Sequence, residues 1–367
     1  MPQTSDLHVR SGVDFSVREL TGALGDSITV LPLIVALAIA TDISLPHVLI
    51  AFGIFQIIWG IKYGLPLSVE PMKALVALVI VGSLTYADLV AAGLVLGLSL
   101  LALGYTGTLS KLSGWLGEPV IRGVQLGVAL LLLETGISLA IAEPTLAGLG
   151  LAIALVFIVL GRGDLSTIVV LLVGCAIAVW VAGVPTPTLP GMPPTPDFGE
   201  FSLISTAEGT VAQLAMTIGN AAVATSLLLS DYFDRQISPD ELSMTMGGMT
   251  LAALPIGGIP MCHGSGGLAG KYAFGARTGG ANIILGVIYL GLAFVAVGAI
   301  IIAFPLAILG ILLVLIALEL GRAAIRTEGL LITGGMGVVA VVTNIGIAFI
   351  VGILAWWAFE AIRQRRY

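Results

Sequence analysis

Gly64-Leu-Pro-Leu-Ser-Val-Glu-Pro-Met-Lys73 and Gly258-Ile-Pro-Met-Cys-His-Gly-Ser-Gly-Gly267 are polar, glycine- and proline-interrupted islands in an otherwise apolar chain. They begin 194 residues apart, and the same offset pairs Gly25-Asp26 with Gly219-Asn220. One register therefore aligns two separate features of the two halves, as an internal duplication would. In membrane proteins built from repeats, matching hydrophobic segments broken by Gly and Pro are the best sequence pointer to a substrate site.

Composition supports that frame. Of 367 residues, 58% are hydrophobic and 10% charged, against roughly 25% charged in soluble domains. The apolar runs recur along the whole length, so the chain reads as an all-α polytopic membrane protein. Its 48 glycines suit close helix packing in lipid, where backbones approach without a hydrophobic drive. Residues 1–20 are polar and read as a cytoplasmic segment, not a signal peptide. Cys175 and Cys262 lie in apolar surroundings and form no disulfide framework. No nucleic-acid motif is present.

A span needs about 20 apolar residues. Repeat 1, 21–184, reads as spans 21–41, 45–63, a broken 65–83, 86–104, 115–141, 146–161 and 165–184. Repeat 2, 208–361, reads as 208–230, 240–257, a broken 258–277, 280–303, 305–321, 328–342 and 343–361. Spans 3 and 10 are the broken half-helices. The linker 185–207 opens with Pro185-Thr-Pro-Thr-Leu-Pro-Gly-Met-Pro-Pro-Thr-Pro196, which cannot be helical. With the N terminus in the cytoplasm, Arg10, Arg18, Lys62, Lys111, Arg122, Arg162, Arg235, Lys271, Arg277, Arg322, Arg326 and the tail 362–367 all fall inside. The expected external loops carry no Lys or Arg, the asymmetry that orients membrane proteins. Lys73 alone is then a basic residue within a span. Seven passes per half turn the second copy upside down, the inverted-repeat arrangement.

In each broken segment an extended stretch precedes a helix, expected over about 71–82 and from the 264–267 run to about 274. Both would start near the midplane with their N-terminal N–H groups and positive dipole ends on one space, a ready anion site. Ser265 adds a hydroxyl, and Gly264, Gly266 and Gly267 allow close approach to the backbone. The blander reading is that these glycines only pack helices. Lys73 adds a full charge beside Met72, at a depth where an uncompensated charge costs at least ~2.5 kcal/mol. It faces a ligand, or it forms a structural ion pair with Glu70. Glu70 is a proton-coupling candidate that also takes the anion's place when no substrate is bound, or it is a simple helix cap. Asp26 and Asn220 occupy matching places in spans 1 and 8. Asp26 is a partner for Lys73 and Asn220 a donor to an oxyanion, or both serve helix–helix hydrogen bonding. His263 beside Cys262 is weak evidence for metal and more plausibly packs near the second half-helix, so no metal or other cofactor is expected. Glu134 in span 5 is structural, cavity-facing, or part of a gate.

Two look-alikes fail. Gly264-Ser-Gly-Gly-Leu-Ala269 matches a loose dinucleotide fingerprint with no βαβ unit around it. Ser265-Gly-Gly-Leu-Ala-Gly-Lys271 lacks the first glycine and the Ser/Thr of a phosphate loop.

Pro71-Met72-Lys73 after Gly-Leu-Pro-Leu, then Cys262-His263-Gly-Ser-Gly-Gly-Leu-Ala-Gly-Lys-Tyr-Ala-Phe-Gly-Ala-Arg277, with Glu19-Leu-Thr-Gly-Ala-Leu-Gly-Asp26 in the first span, resembles the molybdate-transporter family related to the SulP sulfate permeases. The resemblance implies the seven-plus-seven inverted-repeat fold shared with nucleobase permeases. It implies a substrate-carrying core, 21–104 plus 208–303, and a gate, 115–184 plus 305–361. That family's pattern has glutamine where this chain has Glu70, which leaves the oxyanion and the coupling ion open.

The expectation is a secondary active transporter, not an enzyme. Its substrate would be a tetrahedral oxyanion, molybdate first and sulfate second, with tungstate indistinguishable from molybdate by size and charge. The coupling ion would be H+, and the protein would sit in the cell membrane with both termini cytoplasmic, a homodimer being open to it. The rivals are a nucleobase or organic-acid permease on the same fold, and an anion channel.

Overall fold

The structure, a computed structural model, describes residues 12–296 and 298–364. Residues 1–11 of the expected cytoplasmic segment and 365–367 of the tail, with Arg10, Arg365 and Arg366, lie outside the described residues. The first half comprises α1 (Val17–Ala40), α2 (Leu45–Tyr63), the short strand β1 (Glu70–Pro71), α3 (Lys73–Ile80), α4 (Tyr86–Thr106), α5 (Leu109–Leu116), α6 (Glu118–Ala142), α7 (Pro144–Val159) and α8 (Gly163–Ala182). The second comprises α9 (Leu203–Met216), a π-helical stretch (Thr217–Ala224), α10 (Thr225–Phe233), α11 (Pro239–Ala253), β2 (Met261–Cys262), α12 (Ser265–Ala273), α13 (Gly280–Ala293), α14 (Gly298–Ile302), α15 (Leu306–Ala324), α16 (Leu330–Val342) and α17 (Ile345–Gln364).

Seven of these are individually long and apolar enough to cross a bilayer: α2, α4, α6, α8, the continuous rod α9–α10, α15 and α17. Adding α1, α11, the shorter apolar α7, α13 and α16, and the two segments that carry α3 and α12 makes fourteen passes, seven per half. Two expected spans are subdivided. The 115–141 span begins only after Gly117, where a positive φ of 75° separates α5 from α6, and 280–303 divides into α13 and α14.

The packing is symmetric under exchange of each span with the one seven later. α2 packs on α13, and its counterpart α11 packs on α4. α1 packs on α12, and α9 on α3. α6 packs on α15, its own counterpart, and each of the two also gathers the others' last two helices: α16 and α17 on α6, α7 and α8 on α15. Glycines set the approach at the three main crossings. A Cβ on Gly286 would stand 2.6 Å from the Gly53 carbonyl oxygen, one on Gly247 2.6 Å from that of Gly97, and one on Gly310 2.6 Å from that of Gly136. Gly53 and Gly247 are again 194 residues apart. These backbones touch, as expected where small residues line helix contacts in lipid.

At the centre, β1 and β2 pair antiparallel, Glu70 opposite Cys262 and Pro71 opposite Met261. The Met72 N–H adds a bond to the Pro260 carbonyl, 3.0 Å. A left-handed Gly64 (φ 61°) ends α2 and turns the chain into this crossing.

Candidate functional site at the crossing of the broken spans

The extended stretch before β1 has no helix to satisfy its carbonyls, and unpaired backbone groups at this depth cost several kcal/mol each. Side chains from three other elements do so. Asn282 Nδ2 on α13 donates to the Leu67 carbonyl, His263 Nδ1 to that of Ser68 (2.9 Å), and Gln56 Nε2 on α2 to that of Val69 (3.2 Å). His263 Nε2 meets the Thr245 hydroxyl at 2.9 Å. Both ring nitrogens are thus engaged in holding the crossing, which makes His263 a brace.

A cavity of about 50 Å3 opens beside the crossing. Six residues singled out from sequence line it: Glu70, Lys73, Asn220, Gly264, Ser265 and Gly266. Gln213, Met216, Ala221 and Cys262 complete the wall. Asn220 sits in the π-helical stretch, a local irregularity that occurs mostly at functional sites. Met72 and Gly267 do not line the cavity: Met72 is fully buried, and Gly267 lies just behind Glu70. Glu134 is placed elsewhere, in a second cavity of about 300 Å3 with Val81, Ser83, Thr135 and Ser138 between the end of α3 and α6.

Glu70 joins the two broken segments. Its Oε1 accepts the Gly267 N–H in the first turn of α12 at 2.6 Å, and its Oε2 pairs with Lys73 Nζ at 2.8 Å. The carboxylate is 2% exposed and the lysine 19%, so Lys73 is the half of the pair that solvent reaches. A Cβ on Gly264 would collide with this carboxylate, and one on Gly267 with Glu70, Asp26 and the Ser68 hydroxyl. Only glycine lets a carboxylate sit on the α12 backbone here.

Three expectations need correction. The N-terminal amides of α3 do not open onto the cavity: Gln213 Oε1 on α9 accepts from Ala74 N–H (2.9 Å) and Leu75 N–H (3.4 Å). Gln213 was missed from sequence, although an amide inside an apolar span was there to be noticed. Asp26 does not pair with Lys73; its Oδ2 lies 3.0 Å from Lys271 Nζ. Lys271 is therefore no loop residue but fully buried in α12, donating also to Gln56 Oε1 (3.0 Å) and Asn282 Oδ1 (2.6 Å). The reason is physical. Glu70 takes Lys73 locally, three residues along the chain, and leaves Asp26 to a cation from the other repeat. Ser68 Oγ donates to Asp26 Oδ1 at 2.6 Å, which closes a polar knot behind the cavity.

Chemically, the cavity offers one ammonium, the first-turn N–H groups of a helix, a serine hydroxyl and two amide side chains around a single carboxylate. That is a set for holding a small anion. A family model described as a molybdate transporter of the MFS superfamily matches residues 18–132 and 205–320. The chain is 31% identical to molybdate transporter 2 of Arabidopsis thaliana, over 83% of this chain and 78% of that protein. It is 32% identical to molybdate transporter 1 of the same plant, over 85% and 81%. In fold it is similar to the transmembrane domain of the cyanobacterial bicarbonate transporter BicA, with a TM-score of 0.66, 17% identity and coverage of 94% of this chain and all of that one. SLC26A9 gives a TM-score of 0.69 at 13% identity, over 95% of this chain and 65% of that one. The fold is thus the seven-plus-seven arrangement, whereas the superfamily in the family model's description is built from six-span halves. On matched length and on identity to these plant proteins, the chain belongs to the molybdate transporter family.

Proposed function

We propose that this chain carries molybdate across the membrane as a secondary active transporter, binding it in the cavity between Lys73 and the first turn of α12. The supporting observation is the seat of Glu70: a carboxylate already bridges Lys73 and the Gly267 N–H. The groups that hold one oxyanion there suit another. Relatives matched over most of both chains are named molybdate transporters, which favours molybdate over sulfate. Both groups, the Lys73 ammonium and the Gly267 N–H, are occupied by Glu70, so a four-oxygen anion that takes them over displaces the Glu70 side chain. Displaced beside a dianion, Glu70 is the group to take up a proton, and H+ is the coupling ion this reading assigns. Asn220, Ser265 and Gln213 then supply neutral hydrogen bonds. Asp26 and His263 hold the wall from behind.

Movement of the site follows the packing. α1–α4 with α9–α13 form the core that carries the crossing, and α6–α8 with α15–α17 form the gate against which it slides. Binding isotherms on purified protein with molybdate, tungstate, sulfate and uracil in parallel test the substrate. Uptake into proteoliposomes tests the mechanism. Saturable molybdate uptake that runs uphill when an inward proton gradient is imposed is the expected result. Uracil binding without oxyanion binding would turn the reading to a nucleobase permease, and uptake that never exceeds equilibrium would turn it to a channel.

A further inference from the structure

Three parts of the gate leave a cavity of about 1110 Å3 between them at one end of the molecule. Its walls are the first turn of α6, the turn from α15 into α16, and the end of α17. α16 and α17 pack on α6 and on each other, and the cavity lies among their ends. The loop charges put this end on the cytoplasmic side. Trp356 lines the cavity. Its neighbour Trp357 meets Trp115 of α5 edge to face, ring centres 4.7 Å apart. Tryptophans gather in this way at the level where membrane meets water. The wall is otherwise mainly apolar: Leu330, Leu331 and Phe359 line it and are exposed. Water holds such surface poorly, so at the edge of a bilayer acyl chains fill it.

The charges around the cavity divide into paired and unpaired. Glu118 Oε1 accepts from Arg122 Nε at 2.7 Å, and Glu118 Oε2 accepts from the Thr327 hydroxyl at 2.5 Å. Glu360 pairs with Arg363 at 3.4 Å. Arg326 and Glu328 remain. Both line the cavity and both are exposed. They stand two residues apart, yet among the described residues neither side chain makes an ion pair or hydrogen bond with the other or with any third group. α16 begins beside them with Gly329 at its N-cap and no side-chain cap, so its first N–H groups are open to an acceptor. The rim therefore offers a guanidinium and helix N–H groups to a phosphate, and a carboxylate to a cation close by. The lining as a whole holds two acids, Glu118 and Glu328, and two bases, Arg326 and Arg363. That balance suits a headgroup that carries both charges and is neutral overall. A primary ammonium can donate to Glu328, and a quaternary one has no N–H to give.

We propose that this cavity is a phospholipid site selective for a zwitterionic headgroup with a primary amine, phosphatidylethanolamine. The acyl chains lie along Leu330, Leu331 and Phe359, the phosphate on Arg326 and the N terminus of α16, and the ammonium on Glu328. The lipid ties α6, α16 and α17 together at the end of the gate and touches none of the residues around Lys73.

The test titrates full-length protein in detergent with phosphatidylethanolamine, phosphatidylcholine and phosphatidylglycerol of identical chains, and counts bound lipid by native mass spectrometry. The parent should hold one phosphatidylethanolamine about tenfold more tightly than phosphatidylcholine, the scale of one hydrogen bond to a charged group, and more tightly than phosphatidylglycerol. Glu328→Ala should bring phosphatidylethanolamine down to the level of phosphatidylcholine and leave the latter unchanged. Arg326→Ala should weaken both by about tenfold. Arg162→Ala removes an exposed arginine on the same side but outside the cavity, and should stay parental. All three side chains are exposed, so their loss leaves the fold intact. Tighter binding of phosphatidylglycerol, or a headgroup preference that survives Glu328→Ala, overturns the assignment. Lipid affinity unchanged in Arg326→Ala also overturns it, by marking the bound molecules as general bilayer lipid. A lipid-free dimer does the same, by marking the cavity as a contact between two copies of this chain.

Discussion

Glu70 spends its two oxygens on the groups an oxyanion would need, and this makes single substitutions decisive. Lys73→Ala removes the cation and should abolish high-affinity molybdate binding, while the variant still elutes and melts as a folded protein; parental affinity in it would place the site elsewhere. Ser265→Ala should weaken binding by about 1.5 kcal/mol, the lower end for a hydrogen bond to a charged group. Glu70→Gln keeps an oxygen for the Gly267 N–H but cannot exchange a proton. If binding loads a proton onto Glu70, the parent consumes a proton with each oxyanion, and by linkage its affinity rises as pH falls. The same titration in Glu70→Gln should be flat across that range. A pH profile identical to the parent's would reduce Glu70 to a cap on α12.

The elements that carry these residues depend on a polar knot that no local pattern announces. Asp26 and Lys271 are both fully buried and stand 245 residues apart in sequence. Removing one partner of such a pair leaves an uncompensated charge, at a cost of about 3–5 kcal/mol, whereas replacing both with apolar residues is often near neutral. Lys271→Met should therefore lower the melting temperature in detergent sharply, and Asp26→Leu combined with Lys271→Met should recover much of the loss. No recovery in the double variant would mean that the knot's hydrogen bonds to Gln56, Ser68 and Asn282, and not its charges, hold α1 to α12. This is also where legibility from sequence ended. Gly and Pro punctuation located both broken spans, and the half-helix starts at Lys73 and Ser265 lie close to where the punctuation put them. Lys73, Glu70, Asn220 and the 264–266 run were visible because they interrupt apolar sequence. Lys271 was misassigned because it is followed by Arg277 and looks like loop charge until its distant partner is known. Gln213 went unremarked for the same reason: it acts on Ala74, more than a hundred residues away, and spacing along the chain carries no trace of that.

For the molecule as a whole, the inverted repeat sets which ends of the helices share a face, and a loop reports on it independently. Counting passes from an internal N terminus puts the start of α2, the start of α4 and the end of α13 on the outer side. The Pro-rich connection touches all three. His47 Nε2 at the start of α2 bonds the Gly191 carbonyl at 3.1 Å, Tyr86 at the start of α4 donates its hydroxyl to the Pro194 carbonyl at 3.4 Å, and the Thr188 N–H bonds the Phe294 carbonyl just past α13 at 2.9 Å. A miscount by one pass anywhere between would put one anchor on the opposite face. The sign of the loops then chooses which face is outside. Withdrawing Lys271 from the cytoplasmic tally does not change the choice, because Arg277 follows at the same end of α12, while residues 185–202 hold Asp197 and Glu200 and no Lys or Arg. On a background lacking Cys175 and Cys262, a single cysteine at exposed Thr195 should react with a membrane-impermeant thiol reagent in intact cells, and one at exposed Gln364 should react only after the membrane is opened. Reaction at Gln364 alone would invert the protein in the membrane while leaving the fold intact. Reaction at both would break the odd number of passes between the loop and the C-terminal end of α17, and with it the seven-plus-seven count.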